Sequence, residues 1–282
     1  MNRRKLTERI FIALMLISLG AVILSLLGIL GIIAYRGVTS ISWSMVTQLP
    51  KGGYYMGKEG GILNAIVGSL YLGLGSATLA LLLGLPIAFA LQKEYIRPRW
   101  ADLIRLSLDI LWGTPSIVYG AFGFVVMLAL GLRASLIGGI IALTLLMLPI
   151  MTRAIEEALR MVPKELKESA YALGATRFET SFGIIARQAL PGIVTGVLLA
   201  FGRGIGDAAS ILFTAGYTDY LPRSIFDPVA SLPLAIFFQL GTPVPEVQRR
   251  AYGAALILLG IVLTTSLTAR YLSKRLSKHT IR

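Results

Sequence analysis

Arg153 to Gln188 reads RAIEEALRMVPKELKESAYALGATRFETSFGIIARQ, a polar interval between two long apolar runs, and its reading decides how the chain is organised. Arg153/Glu157 and Glu156/Arg160 are i, i+4 pairs that carry the preceding helix into water until Pro163 interrupts it. Pro163 suits the first turn of a new short helix, with Leu166, Ala170 and Leu173 on one face and Lys164, Glu165, Lys167 and Glu168 around the other. Gly174 is placed to end it, and Thr176 with Glu179 three residues later reads as a capping box that opens the next helix. The expectation is two short helices and a glycine-directed bend, standing proud of the membrane with a small apolar face exposed. Such a face calls for a partner, although the same helix signals also fit a well-capped surface loop.

Outward from this interval the chain is apolar. Of 282 residues 55% are hydrophobic and 15% charged, against roughly a quarter charged in an ordinary soluble domain. The mean hydropathy is +0.75. Six stretches are long enough for a hydrocarbon core, which takes about 20 residues of helix: Ile10–Tyr35, Ile62–Leu91, Leu103–Leu130, Ala134–Thr152, Leu190–Gly216 and Ala251–Tyr271. Arg3, Arg4 and Lys5 precede the first, as in a signal peptide. Its run exceeds an h-region of roughly 7–15 residues, so it reads as an uncleaved span.

Most of the 27 Lys and Arg fall before the first stretch, after the second, after the fourth and after the sixth. That side reads as the cytoplasm, with both termini on it. Positive-inside topology therefore accounts for the net charge of +13, and no nucleic-acid partner is expected. There is no cysteine, and the one histidine is His279. Thiolate and imidazole metal sites, disulfides and Ser-His triads are thereby excluded, and no cofactor or catalytic residue is expected.

Glu168-Ser169-Ala170, Gly174 six residues after the glutamate, Ile184 and Leu190-Pro191 resemble the EAA loop of ATP-binding cassette (ABC) importer permeases. In that family the pattern is E-A-A, three residues, G, nine residues, I-x-L-P, and the segment docks into a groove on a cytoplasmic ATPase. Ser169 departs from it, as do Ala186-Arg187, which stand where the Leu-Pro falls. The resemblance implies that Pro163, Glu168, Ala170, Gly174, Ala175 and Thr176 couple the chain to an ATPase.

Pro115-Ser116-Ile117-Val118-Tyr119-Gly120 and Gly202-Arg203-Gly204-Ile205-Gly206-Asp207-Ala208 look like the P-S-I-V-Y-G and A-R-A-x-G-E-T motifs of phosphate importer permeases. Gly60-Gly61-Ile62, Ala65-Ile66-Val67-Gly68-Ser69-Leu70 and Val162-Pro163 are more similar to the A-type subunit (PstA family) than to its C-type partner. Asp207 and Ala208 replace the family's Glu and Thr. The resemblance runs from Gly60 to Leu272 and implies an all-α membrane protein with the six-helix bundle of type I ABC importer permeases and a cytoplasmic coupling helix. It further implies an N-terminal helix and outer linker over 1–61, a transmembrane domain over 62–272 containing the coupling loop 153–189, and a basic tail over 273–282. The implied substrate is phosphate, passing Pro115, Ser116 and Tyr119. The implied partners are a homologous C-type permease, a dimer of ATP-binding subunits, an extracytoplasmic phosphate-binding protein and membrane lipid.

Apart from any resemblance, Arg203 and Asp207 stand out, because a charge at the bilayer centre costs about 2.5–3.5 kcal/mol even on insertion scales. Both fall near the middle of the fifth run, four residues apart, so an ion pair on one helix face would neutralise them at rest. They either hold helices together or line the pathway, where the planar fork of Arg203 suits a tetrahedral oxyanion and Asp207 competes for it. Gly192, Gly196, Ala200, Gly204 and Ala208 recur every four positions. Such a stripe admits close helix packing, so the fifth helix is expected at the centre of the bundle.

Gly52-Gly53-Tyr54-Tyr55-Met56-Gly57-Lys58-Glu59 nearly matches a P-loop, but it ends in Glu, follows no strand and lies on the outer side. ATP hydrolysis is therefore assigned to another chain. Five prolines between Pro222 and Pro245 forbid a long helix there, and Val229–Leu240 is apolar but too short to span. It is expected to lie in the interface or tucked between spans, either meeting a binding protein or capping the pore. An importer permease for phosphate, or for sulfate or molybdate, is the leading reading. A secondary transporter or channel acting alone is the other, although no repeat of one half in the other is visible.

Overall fold

The computed structural model of the chain describes residues 3–51 and 59–277. The P-loop-like run and His279 lie outside the described residues, apart from the backbone of Glu59. Five helices are long and apolar enough to cross a bilayer, and a bent pair makes a sixth crossing if counted as one span. In order the elements are α1 (Arg3–Val38), α2 (Trp43–Thr47), a two-strand antiparallel ladder (Pro50–Lys51 with Glu59–Gly60), α3 (Leu63–Ala90), α4 (Pro98–Gly113), α5 (Ser116–Ala129), α6 (Leu136–Arg160), α7 (Lys164–Ala172), α8 (Arg177–Glu179), a π-helical stretch (Thr180–Ile185), α9 (Ala186–Ile205), α10 (Leu232–Leu240) and α11 (Pro245–Leu276).

α6 is the axis of the bundle. Leu143, Met147, Met151, Ile155 and Leu159 recur every four residues along it and are all fully buried. Of its most apolar window 61% is buried, against 33% for the span that contains α9. The expectation that the fifth helix is central is corrected here. α9 lays its small-residue stripe against α6, touches α11 and α3, and leaves Leu199 and Arg203 exposed. A Cβ on Gly196 would stand 2.9 Å from the Cβ of Ala154, and one on Gly192 or Gly204 would collide with Ala158 or the Met147 side chain. On the opposite side of α6, Gly84 of α3 leaves room for Thr152 Oγ1, 2.7 Å from where its Cβ would be. Where lipid is as apolar as leucine, close backbone approach of this kind is what draws helices together.

Two expected spans are broken. The third bends by 98° between α4 and α5, at Thr114-Pro115, because proline disfavours helix at the preceding residue and offers no N–H. The fifth begins early, through the π-helical stretch, and stops at Ile205 instead of reaching Gly216. Gly202, Gly204 and Gly206 weaken the helix, and the Asp207 carboxylate takes the Ser210 N–H at 2.8 Å, an alternative to the helical bond. Irregular backbone at membrane depth must be shielded and bonded. Thr214 O accordingly accepts from the Ser135 N–H and Ala215 O from the Val229 N–H. α10 is tucked between spans, with Leu232, Pro233, Leu234 and Ala235 buried.

α1 differs from the rest: none of its apolar window is buried within the chain. It touches α11 near its C-terminal end, where Gly37 lets the backbone of Tyr252 approach and Arg36 lies over the Tyr252 ring, 5.1 Å from its centroid.

Candidate functional site

The first candidate site forms where α9 ends. Gly204 packs against Met147 in the middle of α6, so the end of α9 sits at mid-bundle depth. Arg203 Nη1 reaches Asp207 Oδ1 at 3.3 Å, with side-chain exposures of 53% and 6%. The pair therefore exists, although Asp207 lies beyond the helix rather than on its face. Its second oxygen is committed to the Ser210 N–H. Arg203 donates one long bond, where charge-assisted bonds usually measure about 2.7–2.9 Å, and no other bond from its guanidinium is formed among the described residues. A guanidinium carries five donors, so most of this fork is available.

The two phosphate-permease-like motifs meet here. Gly120 of α5 packs on the irregular segment, and a Cβ there would stand 2.7 Å from Ala209 O and 2.9 Å from Ser210 O. Tyr119 is buried beside it, and its hydroxyl bonds to Leu111 O across the α4–α5 bend. Pro115 and Ser116 lie at the bend itself, exposed and half-buried respectively.

The second candidate site is the polar segment between α6 and α9. Pro163 immediately precedes α7 rather than opening it. Gly174 takes a φ of +84°, with its N–H bonded to Tyr171 O and the Ala175 N–H to Ala170 O, which closes the carbonyl end of α7. Thr176 Oγ1 then accepts the Glu179 N–H at 3.3 Å, and Glu179 Oε2 accepts the Thr176 N–H at 2.8 Å. These bonds hold the Glu179 carboxyl below the usual carboxylate range.

The expected free apolar face is largely satisfied within the chain. Ala170 is buried and Leu166 packs on the core, whereas Leu173 is 89% exposed. The segment is braced by the end of α3. Lys167 pairs with Glu94 at 3.2 Å, the Arg177 guanidinium donates to Glu94 O, and Tyr95 Oη lies 2.8 Å from Ser181 Oγ. Phe182 stacks on Phe89 with centroids 4.5 Å apart. Glu168, Gly174 and Thr176 remain exposed and Ala175 half-buried.

Sequence reasoning missed a third cluster. Glu156 was expected in a surface pair with Arg160; that bond exists at 2.8 Å, but the carboxylate is buried and also receives Arg105 at 2.8 Å and Arg153 at 3.3 Å. Arg153 does not pair with Glu157; it reaches instead to Asp109 on α4. The signal that could have disclosed this lies in α4, where Asp102, Arg105 and Asp109 share one face of an otherwise apolar helix.

Residues 80–278 match the family model described as binding-protein-dependent transport system inner membrane component. The chain belongs to that family. This inner membrane component is 36% identical over 275 residues to the phosphate transport system permease protein PstA 1 of Mycobacterium tuberculosis (strain CDC 1551 / Oshkosh), covering 95% of this chain and 88% of that protein. It is also 36% identical over 250 residues to a probable phosphate transport system permease protein PstA of Methanocaldococcus jannaschii, covering 87% of this chain and 83% of that one. Its fold is that of a chain in a bacterial alginate ABC transporter, solved in complex with a periplasmic protein that holds an alginate pentasaccharide. That match has a TM-score of 0.64 at 16% identity, covering 98% of this chain and 97% of the other. The architecture is thus the multi-pass helical bundle of ABC importer permeases.

Proposed function

We propose that this chain is the permease subunit of an ABC importer that passes inorganic phosphate across the cytoplasmic membrane, with both termini cytoplasmic. Its relatives' phosphate role supports the substrate, and the structural neighbour's periplasmic protein supports delivery by an extracytoplasmic binding protein. A homologous C-type permease completes the pore, and a dimer of ATP-binding subunits engages the exposed edge of α7 through Glu168, Gly174 and Thr176.

The observation that carries the reading is the under-used guanidinium of Arg203 at mid-bundle depth. A phosphate oxygen can take the free donors without first breaking the Asp207 contact, and Asp207 stays in place because Ser210 holds its other oxygen. The carboxylate then competes with the anion for the same fork, which keeps binding weak enough for release. ATPase closure would reach this point along α9, which runs from the braced cytoplasmic segment to Arg203.

The test is transport by the assembled complex in liposomes, with phosphate, sulfate and molybdate compared. Phosphate is expected to be preferred, and Arg203→Ala to abolish uptake while the complex still assembles. Preference for another anion would overturn the substrate; unchanged transport by Arg203→Ala would overturn the site.

A further inference from the structure

The open face of α9 forms one wall of a groove of about 780 Å³ whose other wall is α11. At mid-depth Arg203 faces Val262. From there Ser266, Arg270 and Lys274 follow at intervals of four residues, each a step of about 6 Å toward the cytoplasmic end. Ser273 of α11 adds a hydroxyl, whereas the Thr195 hydroxyl of α9 is already donated to Pro191 O. Along α11, Arg270 and Lys274 lie about 12 and 18 Å from Val262. Neither forms an ion pair among the described residues.

Positive-inside topology explains why cations occur at this end of α11, but not why they are left without counter-charge in a groove. A second inner cavity, between the α3 end and α7, makes the contrast. There Arg105 and Arg160 are bound to Glu156 and Lys167 to Glu94, and the carboxylates of Glu94 and Glu168 line the wall beside Lys93 and Lys164, which form no ion pair among the described residues. In the α9–α11 groove no carboxylate lines the wall. Between Pro191 and Ser277 the acidic residues are Asp207, Asp219, Asp227 and Glu246, of which the last three belong to the outer side. A cleft lined by charge of one sign raises the local concentration of its counter-ion about 10- to 1,000-fold.

We propose that this groove is an inner oxyanion station, in which Arg270 and Lys274, with Ser266 and Ser273, hold phosphate between its release from Arg203 and its exit to the cytoplasm. This rests on the phosphate-permease reading above and adds a second binding position to it. Ammonium and guanidinium in series with hydroxyl donors between them give the anion a stepped descent rather than one deep well, so no single site need bind it tightly.

The test uses the complete complex in liposomes. R270Q/K274Q is expected to slow phosphate uptake about tenfold, and R270K/K274R to restore it. R275Q removes one topological charge, half of what the double variant removes, one residue away from the groove and is expected to leave uptake unchanged. Because the chain has no cysteine, S266C supplies a single thiol in this subunit. An anionic methanethiosulfonate should label it about ten times faster, relative to a cationic one, than it does in the S266C/R270Q/K274Q background. Undiminished uptake by R270Q/K274Q, equal slowing by R275Q, or a reagent preference indifferent to the two cations would each overturn the station. Absence of phosphate uptake by the unmodified complex would overturn the proposed function instead.

Discussion

Two charged clusters sit in this apolar bundle, and they are wired in opposite ways. Glu156 is 2% exposed and accepts from three arginines, two of which, Arg105 and Arg153, spend further donors on Asp102, Asp109 and Leu91 O. Arg203 is half exposed and makes one bond of 3.3 Å. A saturated buried network fixes the elements that meet at it, here α4 against α6, because any rearrangement strands a charge. An unsaturated guanidinium fixes little and remains free for a ligand. On the proposed function, the same chemistry serves anchorage at a buried carboxylate shared by three arginines and recognition at a guanidinium with one long contact.

The largest effect expected from this contrast is on stability. Glu156→Gln removes the charge that holds Arg105, Arg153 and Arg160 together, leaving three guanidinium groups facing one another. Breaking a buried ion pair costs about 3–5 kcal/mol, and the partial exposure of the arginines puts this case near the lower end. The thermal midpoint of the purified complex should fall accordingly. Arg203→Ala leaves the buried Asp207 with only its Ser210 bond, so it should also cost stability, but less than Glu156→Gln because one ion pair is lost and not three, while removing transport. If both variants lost stability equally, the distinction between anchorage and recognition would collapse.

What could be read in the sequence follows the range of the interactions. The Gly174 turn and the Thr176–Glu179 box close within a few residues, so spacing alone discloses them. The Glu156 hub draws Arg105 and Asp109 from 51 and 44 residues away, where spacing says nothing. Hydropathy located the apolar stretches but could not see backbone breaks inside them. Residues through Gly216 are as apolar as a helix requires, yet Gly202-x-Gly204-x-Gly206-Asp207 favours a local Asp207–Ser210 bond, and burial by α5 makes the break tolerable. The small-residue row of α9 was legible, but which neighbour is central depends on what α3, α4 and α5 also pack against, and that is α6.

A smaller effect is expected at Gly174, where nothing lies within 4 Å of an added Cβ. Gly174→Ala tests conformation alone: at a φ of +84° an L residue is strained, at a cost of about 1 kcal/mol. Because the strain can be relieved by loosening the turn between α7 and α8, the expected readout is weaker retention of the ATPase subunits with little change in the bundle's thermal midpoint. Gly192→Ala should do the reverse, since its Cβ would meet Ala158 across the α6–α9 seam. Equal behaviour of the two variants would mean that the cytoplasmic segment and the bundle are not mechanically separable.

The smallest effect is a pH dependence confined to the capping box. Glu179 is fully exposed, and its carboxyl lies below the ordinary glutamate value, about 4.3, because the backbone N–H and hydroxyl of Thr176 bond to its ionised form. A group depressed in the folded state contributes its full stabilisation above the unfolded value and loses it as pH falls through the folded one. The box should therefore be indifferent to pH between about 6 and 8 and open only in acid. Amide exchange at Thr176, corrected for its intrinsic rate, should lose protection only at a pH below the ordinary glutamate range, whereas Glu179→Gln should show no such step because its amide cannot titrate there. The same step in Glu179→Gln would assign the titration to a neighbour such as Glu165 or Glu168. The capping box would then not be what senses acid in this segment, although its two reciprocal bonds would still set the angle at which the chain re-enters the bundle.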